Sequence, residues 1–443
     1  IDLDELCFVR NFRGDSESKY RELDLQMVRA EEARQSGEVP GTLITFQDLS
    51  RAADMKFPDK VTWFQDVVRG LRVPWEDGHM AIRVRRSDLL HDAQEAYLAM
   101  EADEFRKYFR FEFIGEPAID AGGVAREFYE IVSSQLFDAN NGLFMSSAIN
   151  QTCMQINPAS GLANESHLDF FRFAGRLMGK ALFDNHLVNA HLVRPLYKHI
   201  LAWPMNLHDL EHLDYDTYNG IMKTLDMDDV SILCLDFTCE EERLGSHETV
   251  SLVPNGGNVS LTNENMRLYL ERQICYRVAE RTKEQLCALL QGFYDVIPGS
   301  LLSVFDFQEL EILMCGLPEI DMADWKAHTV YEGQYEAKGA QHKVVKWFWE
   351  VVEEEFNEES RARLLQFVTG TSGVPSQGFG ALQGNDGNIR LFTITSWPLA
   401  QGTFPRSHTC FNRIDLPLYT TKKQLKKHLS LAITMEATGF DIE

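Results

Sequence analysis

Basic residues are in short supply in this chain of 443 residues. It has 43 lysines and arginines against 67 aspartates and glutamates, which gives a formal net charge of -24 at pH 7. Nucleic acids and anionic membrane surfaces are polyanions, so a field of this sign opposes non-specific binding to both. The charge therefore predicts no nucleic-acid partner and favours protein partners that present a basic face.

Cysteine is sparse and unclustered. The chain has 8 cysteines, at positions 7, 153, 234, 239, 275, 287, 315 and 410. No two of them form a C-x-x-C pair, and their density is low for a disulfide-stapled fold. The pattern predicts reduced, mostly buried thiols in a cytoplasmic protein that also enters the nucleus.

Signals for membrane insertion, nucleotide binding and metal binding are weak or missing. The uncharged residues 367–385 include five glycines and a proline, which is typical of loops rather than of a membrane span. Neither G-x-G-x-x-G nor G-K-[ST] occurs. His208, Glu211 and His212 match H-x-x-E-H, but this polar stretch lacks an apolar face to brace metal ligands. We therefore predict no cofactor, no metal and no direct membrane insertion.

The first 55 residues differ in composition from the rest. Residues 15–37 are dense in charge, which predicts a solvated helix or a linker that ends near Gly37 and Pro40. From residue 57 the apolar patterns strengthen, and the following elements are predicted. In the first part of the chain they are a helix capped by Ser87, a strand at 109–113, helices at 126–137, 165–185 and 262–290, and short strands at 231–237. After these come a helix at 343–356, a helix that ends at Gly370, a strand at 390–394, and a last helix with a capping box at Thr421 and Gln424. The helix at 343–356 is predicted to point Val344, Val345, Phe348 and Val352 inward.

These elements predict an α+β protein in two parts. The pattern of long helices stops near residues 330–333, and a new cycle of helices and strands begins after them. We therefore expect a large, mainly helical lobe, a short hinge, and a smaller α/β lobe of about 110 residues.

Cys410 stands in the most distinctive local segment, RSHTCFNRIDLP. Polar, loop-forming residues precede it, and a predicted strand follows it. A thiol acts as a nucleophile in its thiolate form, which neighbouring cations such as Arg406 and Arg413 favour. Three interpretations stay open from composition alone. They are a buried structural thiol, a reactive thiol, and a cysteine protease that uses His408 as its base.

The run KKQLKKH at residues 422–428 is locally basic within an acidic chain. The simpler interpretation is the solvated face of the last helix. The alternative is a contact surface for an acidic patch on the other lobe or on a partner.

SHTCFNRIDLP closely resembles the active-site motif of HECT ubiquitin ligases. Further segments resemble the same family and follow its order along the chain. They are DAGGVAREFYE, LFMSSAINQTCMQINPASGLANESHLDFFRFAGRLMGKALFD, VRPLYKHIL, LVPNGGNVSLTNENMRLYL, LEILMCGLPEIDMADW and LLQFVTGTSGVPSQGF. The resemblance covers residues 57–443 and is greatest to the Nedd4-like branch.

The resemblance implies a bilobal HECT fold with defined parts. Residues 1–55 would form an N-terminal extension or linker helix, and residues 56–330 the N-lobe. A small subdomain at 204–262 would bind the ubiquitin-conjugating enzyme through Leu225, Leu233, Leu235 and Phe237. Tyr331, Glu332 and Gly333 would form the hinge, and residues 334–443 the C-lobe with the catalytic cysteine.

The resemblance also implies a function, that of an E3 ubiquitin transferase. Cys410 would accept ubiquitin as a thioester from the conjugating enzyme and pass it to a substrate lysine. His408 and Thr409 would orient the thioester. Phe440 would anchor the C-terminal tail, while Asp441 and Glu443 would help to deprotonate the incoming lysine. The alternative is a non-catalytic module that binds ubiquitin or its conjugating enzyme.

One position departs from the family pattern. Many Nedd4-like ligases hold a second ubiquitin non-covalently, with an aromatic residue just before the QINP segment. Thr152 and Cys153 stand in that neighbourhood here. The departure argues against such a ubiquitin-holding surface. Residues 15–37 are expected either to restrain the hinge or to act as a plain linker.

Overall fold

The computed structural model describes residues 8–13, 22–27, 44–116, 121–147, 152–243, 246–316, 320–370, 372–374, 378–382 and 389–435. These residues belong to two compact units. The first unit contains Ile1–Met145, Gln155–Ala190 and Pro195–Phe305. The second unit contains Ser146–Met154, His191–Arg194 and Asp306–Glu443.

Helices dominate the chain as far as residue 305, and the strands there are short. The helices are α1 (Phe46–Ala53), α2 (Phe57–Leu71), α3 (Leu89–Leu98), α4 (Ala121–Leu136), α5 (Ser160–Ala163), α6 (His167–Phe183), α7 (Arg194–Leu201), α8 (Leu207–Glu211), α9 (Tyr215–Leu225), α10 (Met266–Val278) and α11 (Lys283–Val296). The strands are β1 (Phe8–Arg13), β2 (Glu22–Met27), β3 (His79–Val84), β4 (Tyr108–Phe113), β5 (Phe144–Ser146), β6 (Cys153–Ile156), β7 (His191–Leu192), β8 (Thr238–Arg243) and β9 (Ser246–Ser251).

Helices and strands are mixed more evenly after residue 305. The elements there are α12 (Phe307–Cys315), α13 (Met322–Ala327), β10 (Thr329–Glu332), α14 (Lys343–Glu350), α15 (Glu358–Thr369), β11 (Phe392–Trp397), β12 (Arg406–His408), β13 (Arg413–Pro417) and α16 (Lys422–Met435). The predicted α+β class is confirmed.

Helix α6 lies at the centre of the first unit, as its apolar circumference predicts. Its residues from Phe173 to Phe183 are all buried. It packs against α11, and glycines permit the close approach. A Cβ atom on Gly175 would collide with the backbone carbonyl of Leu289, and one on Gly292 would collide with the backbone carbonyl of Arg172. Both positions therefore require a residue without a side chain.

Residues 204–262 and helix α10 share a hydrophobic core. It includes Leu207, Leu210, Phe237, Leu261 and Leu270. Strands β8 and β9 pair in antiparallel fashion within this region. The buried apolar cluster of the residues predicted as a subdomain at 204–262 thus extends into α10.

The second unit is organised around a four-stranded sheet of order β10-β11-β13-β12. Strands β10, β11 and β13 are parallel, while β12 lies antiparallel to β13 at the edge. Helices α14, α15 and α16 contribute to the same core. The inward residues predicted on α14, Val344, Val345 and Phe348, are buried, as is Val352 in the π-helical turn Val351–Glu355 that continues it.

The predicted end of α15 and the predicted start of α16 are confirmed. Gly370 follows α15 in the left-handed conformation at φ 83°, which favours glycine. The Gln424 backbone N–H donates to Thr421 Oγ1 over 3.2 Å at the start of α16, which is the Thr half of the predicted capping box.

Four local predictions are wrong. Residues 22–27, within the segment 15–37 that was expected to be a helix or a linker, form β2, which pairs with β1 in a register that places Leu23 opposite Phe12. In β2 apolar and polar residues alternate with the period of a strand. Residues Val230–Leu233 form a 3-10 helix, not a strand. In place of the helix expected at 262–290 there are two helices, since α10 ends at Val278, a 3-10 turn follows at Glu280–Thr282, and α11 starts at Lys283. Asp88 rather than Ser87 precedes α3, and Ser87 lies in a 3-10 turn.

The longest segment of the second unit begins at Asp306, so this unit includes residues 306–333 as well as the predicted C-lobe. The lobe boundaries inferred from the resemblance stay a prediction. Among the described residues, no helix combines the length and the apolar character that crossing a membrane requires.

Candidate active site

Cys410 belongs to a tight turn between two strands of the sheet. Strand β12 ends at His408, residues Thr409–Phe411 form a 3-10 turn, and β13 starts at Arg413. The strands are antiparallel, with Ser407 opposite Ile414 and His408 opposite Arg413. The segment RSHTCFNRIDLP is therefore a β-hairpin with Cys410 in its turn. We call it the cysteine hairpin, residues 406–417.

Asn412 closes this turn. Its backbone has φ 49°, a left-handed conformation that asparagine tolerates better than most residues. Its N–H donates to the carbonyl of Thr409 over 3.2 Å, and its side-chain amide donates to the carbonyl of Arg390 over 2.8 Å. The turn is thus fixed both to itself and to the chain segment that precedes β11.

A buried carboxylate joins the two strands of the cysteine hairpin. Asp415 is only 4% exposed. His408 Nε2 lies 2.8 Å from Asp415 Oδ2, and Arg413 Nε lies 3.1 Å from Asp415 Oδ1. The contact to the carboxylate fixes the ring orientation of His408. In the neutral ring, with Nε2 donating, Nδ1 is the acceptor nitrogen.

Thr409 adds a second polar group beside Cys410 in the chain. Its side chain is buried, and its hydroxyl has no hydrogen-bond partner among the described residues. A buried hydroxyl without a partner costs free energy, about 1–3 kcal/mol. An ordered water, a ligand or a reacting group can satisfy such a hydroxyl.

Asp415 was not selected from the sequence, although a signal for it exists. An acidic residue between Ile414 and Leu416, both fully buried, interrupts an apolar strand. Phe440, Asp441 and Glu443, which were predicted to act with Cys410, lie outside the described residues.

The residues predicted to bind the conjugating enzyme differ in exposure. Leu225 ends α9 and is half-buried, whereas Leu233 and Leu235 are exposed. Phe237 is fully buried in the core of its subdomain, so it can support a surface there but cannot itself contact a partner. Ile232, which sequence reasoning did not select, is 67% exposed. We call Ile232, Leu233 and Leu235 the apolar patch.

The predicted hinge residues lie at the end of a strand. Tyr331 and Glu332 belong to β10, opposite Ile394 and Thr395 of β11. The Tyr331 hydroxyl accepts from Trp349 Nε1 over 3.0 Å, and Gly333 follows with φ 65°. The hinge itself stays a prediction.

Two other sequence features have local partners. Lys422 lies 3.0 Å from carboxylate oxygens of Glu350 and Glu355, and Lys426 lies 2.7 Å from Glu355. Part of the basic run therefore contacts acidic residues of its own unit.

His208 of the H-x-x-E-H match lies 3.2 Å from the Tyr218 hydroxyl through Nδ1. Within the described ranges, no group of three or more His, Cys, Asp or Glu side chains is arranged to hold a metal ion.

Comparison with known proteins identifies the fold family. The family model described as HECT-domain (ubiquitin-transferase) matches residues 130–443. The E3 ubiquitin-protein ligase Nedd-4 of Drosophila melanogaster is 42% identical over 353 residues, which are 80% of this chain and 34% of that protein. The E3 ubiquitin-protein ligase RSP5 of Saccharomyces cerevisiae is 41% identical over 366 residues, which are 83% of this chain and 44% of that protein.

A further relative is the E3 ubiquitin-protein ligase pub1 of Schizosaccharomyces pombe. It is 40% identical over 366 residues, which are 83% of this chain and 46% of that protein. The chain thus spans less than half of the length of each of these three relatives. Since the family match covers most of the chain and includes the whole cysteine hairpin, the resemblance seen in the sequence is confirmed, and the chain belongs to the HECT-domain (ubiquitin-transferase) family.

Proposed function

We propose that this protein is an E3 ubiquitin-protein ligase that carries ubiquitin as a thioester on Cys410 and transfers it to a substrate lysine. The observation that supports this proposal most is the continuous family match over residues 130–443, which contains the cysteine hairpin. The curated relatives named above are described as E3 ubiquitin-protein ligases.

The proposed chemistry is acyl transfer in two steps. The Cys410 thiolate attacks the thioester of the conjugating enzyme, and the sulfur of that enzyme leaves as a thiolate. Because one thioester replaces another, the exchange is nearly isoenergetic and needs no ATP. A lysine amine then attacks the Cys410 thioester, and the more stable amide forms. Positioning of the reacting groups is the main contribution of the protein.

The cysteine hairpin supplies groups suited to that positioning. His408 is held through Nε2 by Asp415, and the turn is fixed by Asn412. The Thr409 hydroxyl, which has no partner among the described residues, is a donor for the carbonyl oxygen of the thioester. A donor already in place stabilises the oxyanion that develops during acyl transfer.

The apolar patch is the proposed docking surface for the conjugating enzyme. Leu233 is 37% and Leu235 is 40% exposed beside the still more exposed Ile232, so three apolar side chains are presented together in sequence. Leu225 is half-buried and is proposed to contribute to the same surface, and the buried Phe237 is proposed to support the patch from within the core. Clustered exposed apolar residues are typical of protein interaction sites.

The remaining assignments rest on the family resemblance. Phe440 is proposed to anchor the tail, and Asp441 and Glu443 to accept the proton of the incoming lysine. Tyr331, Glu332 and Gly333 are proposed as the hinge that lets Cys410 meet donor and acceptor in turn. Ubiquitin, its conjugating enzyme and substrate proteins are the proposed partners. The cytoplasm is the proposed location, with the nucleus in addition.

A thioester assay tests the proposal. The chain is mixed with a conjugating enzyme charged with ubiquitin, and the products are separated with and without a thiol reductant. We expect an adduct that the reductant removes. Cys410→Ala should abolish the adduct, and Cys410→Ser should give an oxyester that resists the reductant. Cys315→Ala, which removes a partly exposed thiol from the end of α12, is the matched control and should form the adduct normally.

Either of two results in the same assay would contradict the proposal. If Cys410→Ala still forms the reductant-sensitive adduct, the assignment of the nucleophile is wrong. If the wild-type chain binds the charged enzyme but forms no adduct, the chain is a non-catalytic binding module.

A further inference from the structure

Cys315, another cysteine of the second unit, lies close to a histidine and a carboxylate. Glu311 and Cys315 lie four residues apart on α12, so their side chains share one face of the helix. His191 Nδ1 lies 2.7 Å from Glu311 Oε1, and the imidazole also hydrogen-bonds to Cys315. The ring of His191 thus contacts both the carboxylate and the thiol.

The carboxylate of this cluster is rigidly held. Glu311 is buried, and its Oε2 accepts from Gln366 Nε2 over 2.7 Å. Its Oε1 accepts from the Ser372 backbone N–H over 3.2 Å as well as from His191. A buried carboxylate with this many donors is stabilised in its charged form.

The histidine ring is packed as well as hydrogen-bonded. A Cβ atom on Gly373 would approach the His191 ring to 2.8 Å, so the backbone of residue 373 lies directly against it. Burial lowers the pKa of His191, but the Cys315 sulfur and the Glu311 carboxylate outweigh burial and hold that pKa well above its usual range. A charged imidazole beside Cys315 is a proton donor for a group that leaves when its sulfur reacts.

The other described cysteines differ from Cys315 in exposure. Cys153, Cys239, Cys275 and Cys287 are buried. Burial raises the pKa of the Cys239 thiol. Cys234 is exposed, and its sulfur lies 3.8 Å from the backbone carbonyl of Ile232. Cys315 is partly exposed, and it interacts with an imidazole that a buried carboxylate holds.

We infer that Cys315 is a site of oxidation by hydroperoxides, with His191 and Glu311 as the groups that activate its sulfur. The Cys315 thiolate attacks one peroxide oxygen, an S–O bond forms, and the O–O bond breaks. The His191 imidazolium gives its proton to the leaving oxygen, which departs as water or an alcohol. The sulfur is oxidised to a sulfenic acid, and the peroxide is reduced. This inference does not depend on the ligase activity proposed for Cys410.

Peptide-level mass spectrometry tests the inference on the full chain. The protein is treated with hydrogen peroxide near neutral pH, sulfenic acids are trapped with dimedone, and labelling is followed for each cysteine separately. Cys234 in the same molecule is the internal reference for an exposed thiol without an imidazole. We expect Cys315 to be labelled about tenfold faster than Cys234, since only its sulfur has an activating imidazole.

Two variants separate activation from simple exposure. His191→Gln should slow labelling of Cys315 to about the rate of Cys234, without a change at Cys234 itself. Glu311→Gln keeps the shape of the side chain and should slow Cys315 labelling as well. If the buried Cys153 becomes labelled in a variant, the packing of that variant is disturbed. If His191→Gln is disturbed in this way, the result with Glu311→Gln tests the inference instead.

The inference is overturned if Cys315 reacts no faster than Cys234 in the wild-type chain. It is also overturned if Cys315 reacts at the wild-type rate in the variant that keeps its packing.

Discussion

His408 Nε2 and Asp415 Oδ2 lie 2.8 Å apart and connect the two strands that flank Cys410. His408 is partly exposed at the end of β12, whereas Asp415 is almost completely buried in β13. The imidazole is thus partly open to solvent, and the carboxylate holds it from the protein side. The same division between a reacting ring and a buried orienting carboxylate occurs in hydrolytic triads.

The first prediction concerns Asp415→Asn. An amide of the same shape keeps the packing of β13 but loses the charge that holds both His408 and Arg413. We expect the single-turnover rate of adduct formation on Cys410 to fall by about ten- to a hundredfold, because the ring loses its fixed orientation.

Glu354→Gln is the matched control for Asp415→Asn, since it removes an exposed carboxylate from the same unit. It should leave the rate unchanged. Wild-type kinetics in Asp415→Asn would remove Asp415 from the proposed mechanism.

The second prediction concerns the apolar patch. Ile232→Asp places a charge on the most exposed of its residues. We expect the concentration of charged conjugating enzyme needed for half-maximal adduct formation to rise about tenfold, while the rate at saturation stays nearly constant. Titration of the conjugating enzyme in the adduct assay measures both quantities.

Ile114→Asp provides the comparison, because Ile114 is also highly exposed in the first unit but lies outside the patch. Equal effects of the two substitutions would show that the loss is general, and the docking surface would have to be sought elsewhere.

The third prediction concerns the tail. Phe440→Ala should leave formation of the Cys410 adduct intact and should lower its discharge to lysine by about tenfold, because the proposed anchor acts only when the acceptor is positioned. A pulse-chase experiment with free lysine separates the two steps. Slower formation of the adduct itself would assign Phe440 to the first step or to folding.

The strongest structural predictions from sequence came from long periodic patterns. Helix α6 and the inward face of α14 follow apolar spacing that spans several turns, so packing reinforces the local preference. Residues 230–233 were misjudged because a short apolar run satisfies either a strand or a turn. Their geometry depends on Asp229, which caps the 3-10 helix through the Ser231 N–H.

The candidate site was predictable only in part, because sequence patterns reveal neighbours along the chain but not contacts between distant residues. Cys410, His408 and Thr409 are adjacent in the chain, so one motif contains them all. Asp415 reaches His408 across a hairpin whose pairing register the sequence does not specify. The contact between His191 and Glu311 joins residues 120 positions apart, which no local pattern reveals.

The fourth prediction concerns the contact of α6 with α11. Gly292→Ala adds a methyl group that would collide with the backbone of Arg172 in the facing helix. We expect the free energy of unfolding to fall by about 2–4 kcal/mol, because a backbone cannot give way as a side chain does. Urea unfolding monitored by circular dichroism measures the change.

Gly220→Ala is the control for this prediction. Gly220 lies inside α9, and a Cβ atom there meets open space. Alanine should stabilise that helix by about 0.5–1 kcal/mol. If Gly292→Ala were as harmless as Gly220→Ala, the close approach of the two helices would be refuted.

The fifth prediction concerns the buried ammonium group of Lys180. It donates to the carbonyls of Phe105 and Lys107 and to Asp184, over 2.9, 2.8 and 3.0 Å. Burial nevertheless lowers the pKa of Lys180 from 10.5 to about 8, against the opposing effect of Asp184. Above pH 8 the folded chain therefore releases a proton that the unfolded chain retains until about pH 10.5.

Because the unfolded state binds more protons in this window, the contribution of Lys180 to stability rises with pH. The difference in unfolding free energy between the wild type and Lys180→Met should increase by about 2 kcal/mol from pH 7.5 to 9.5. Urea unfolding of both proteins at several pH values gives this difference, in which the titration of other groups cancels. A difference that stays flat or falls over this window would mean that Lys180 remains charged in the folded state.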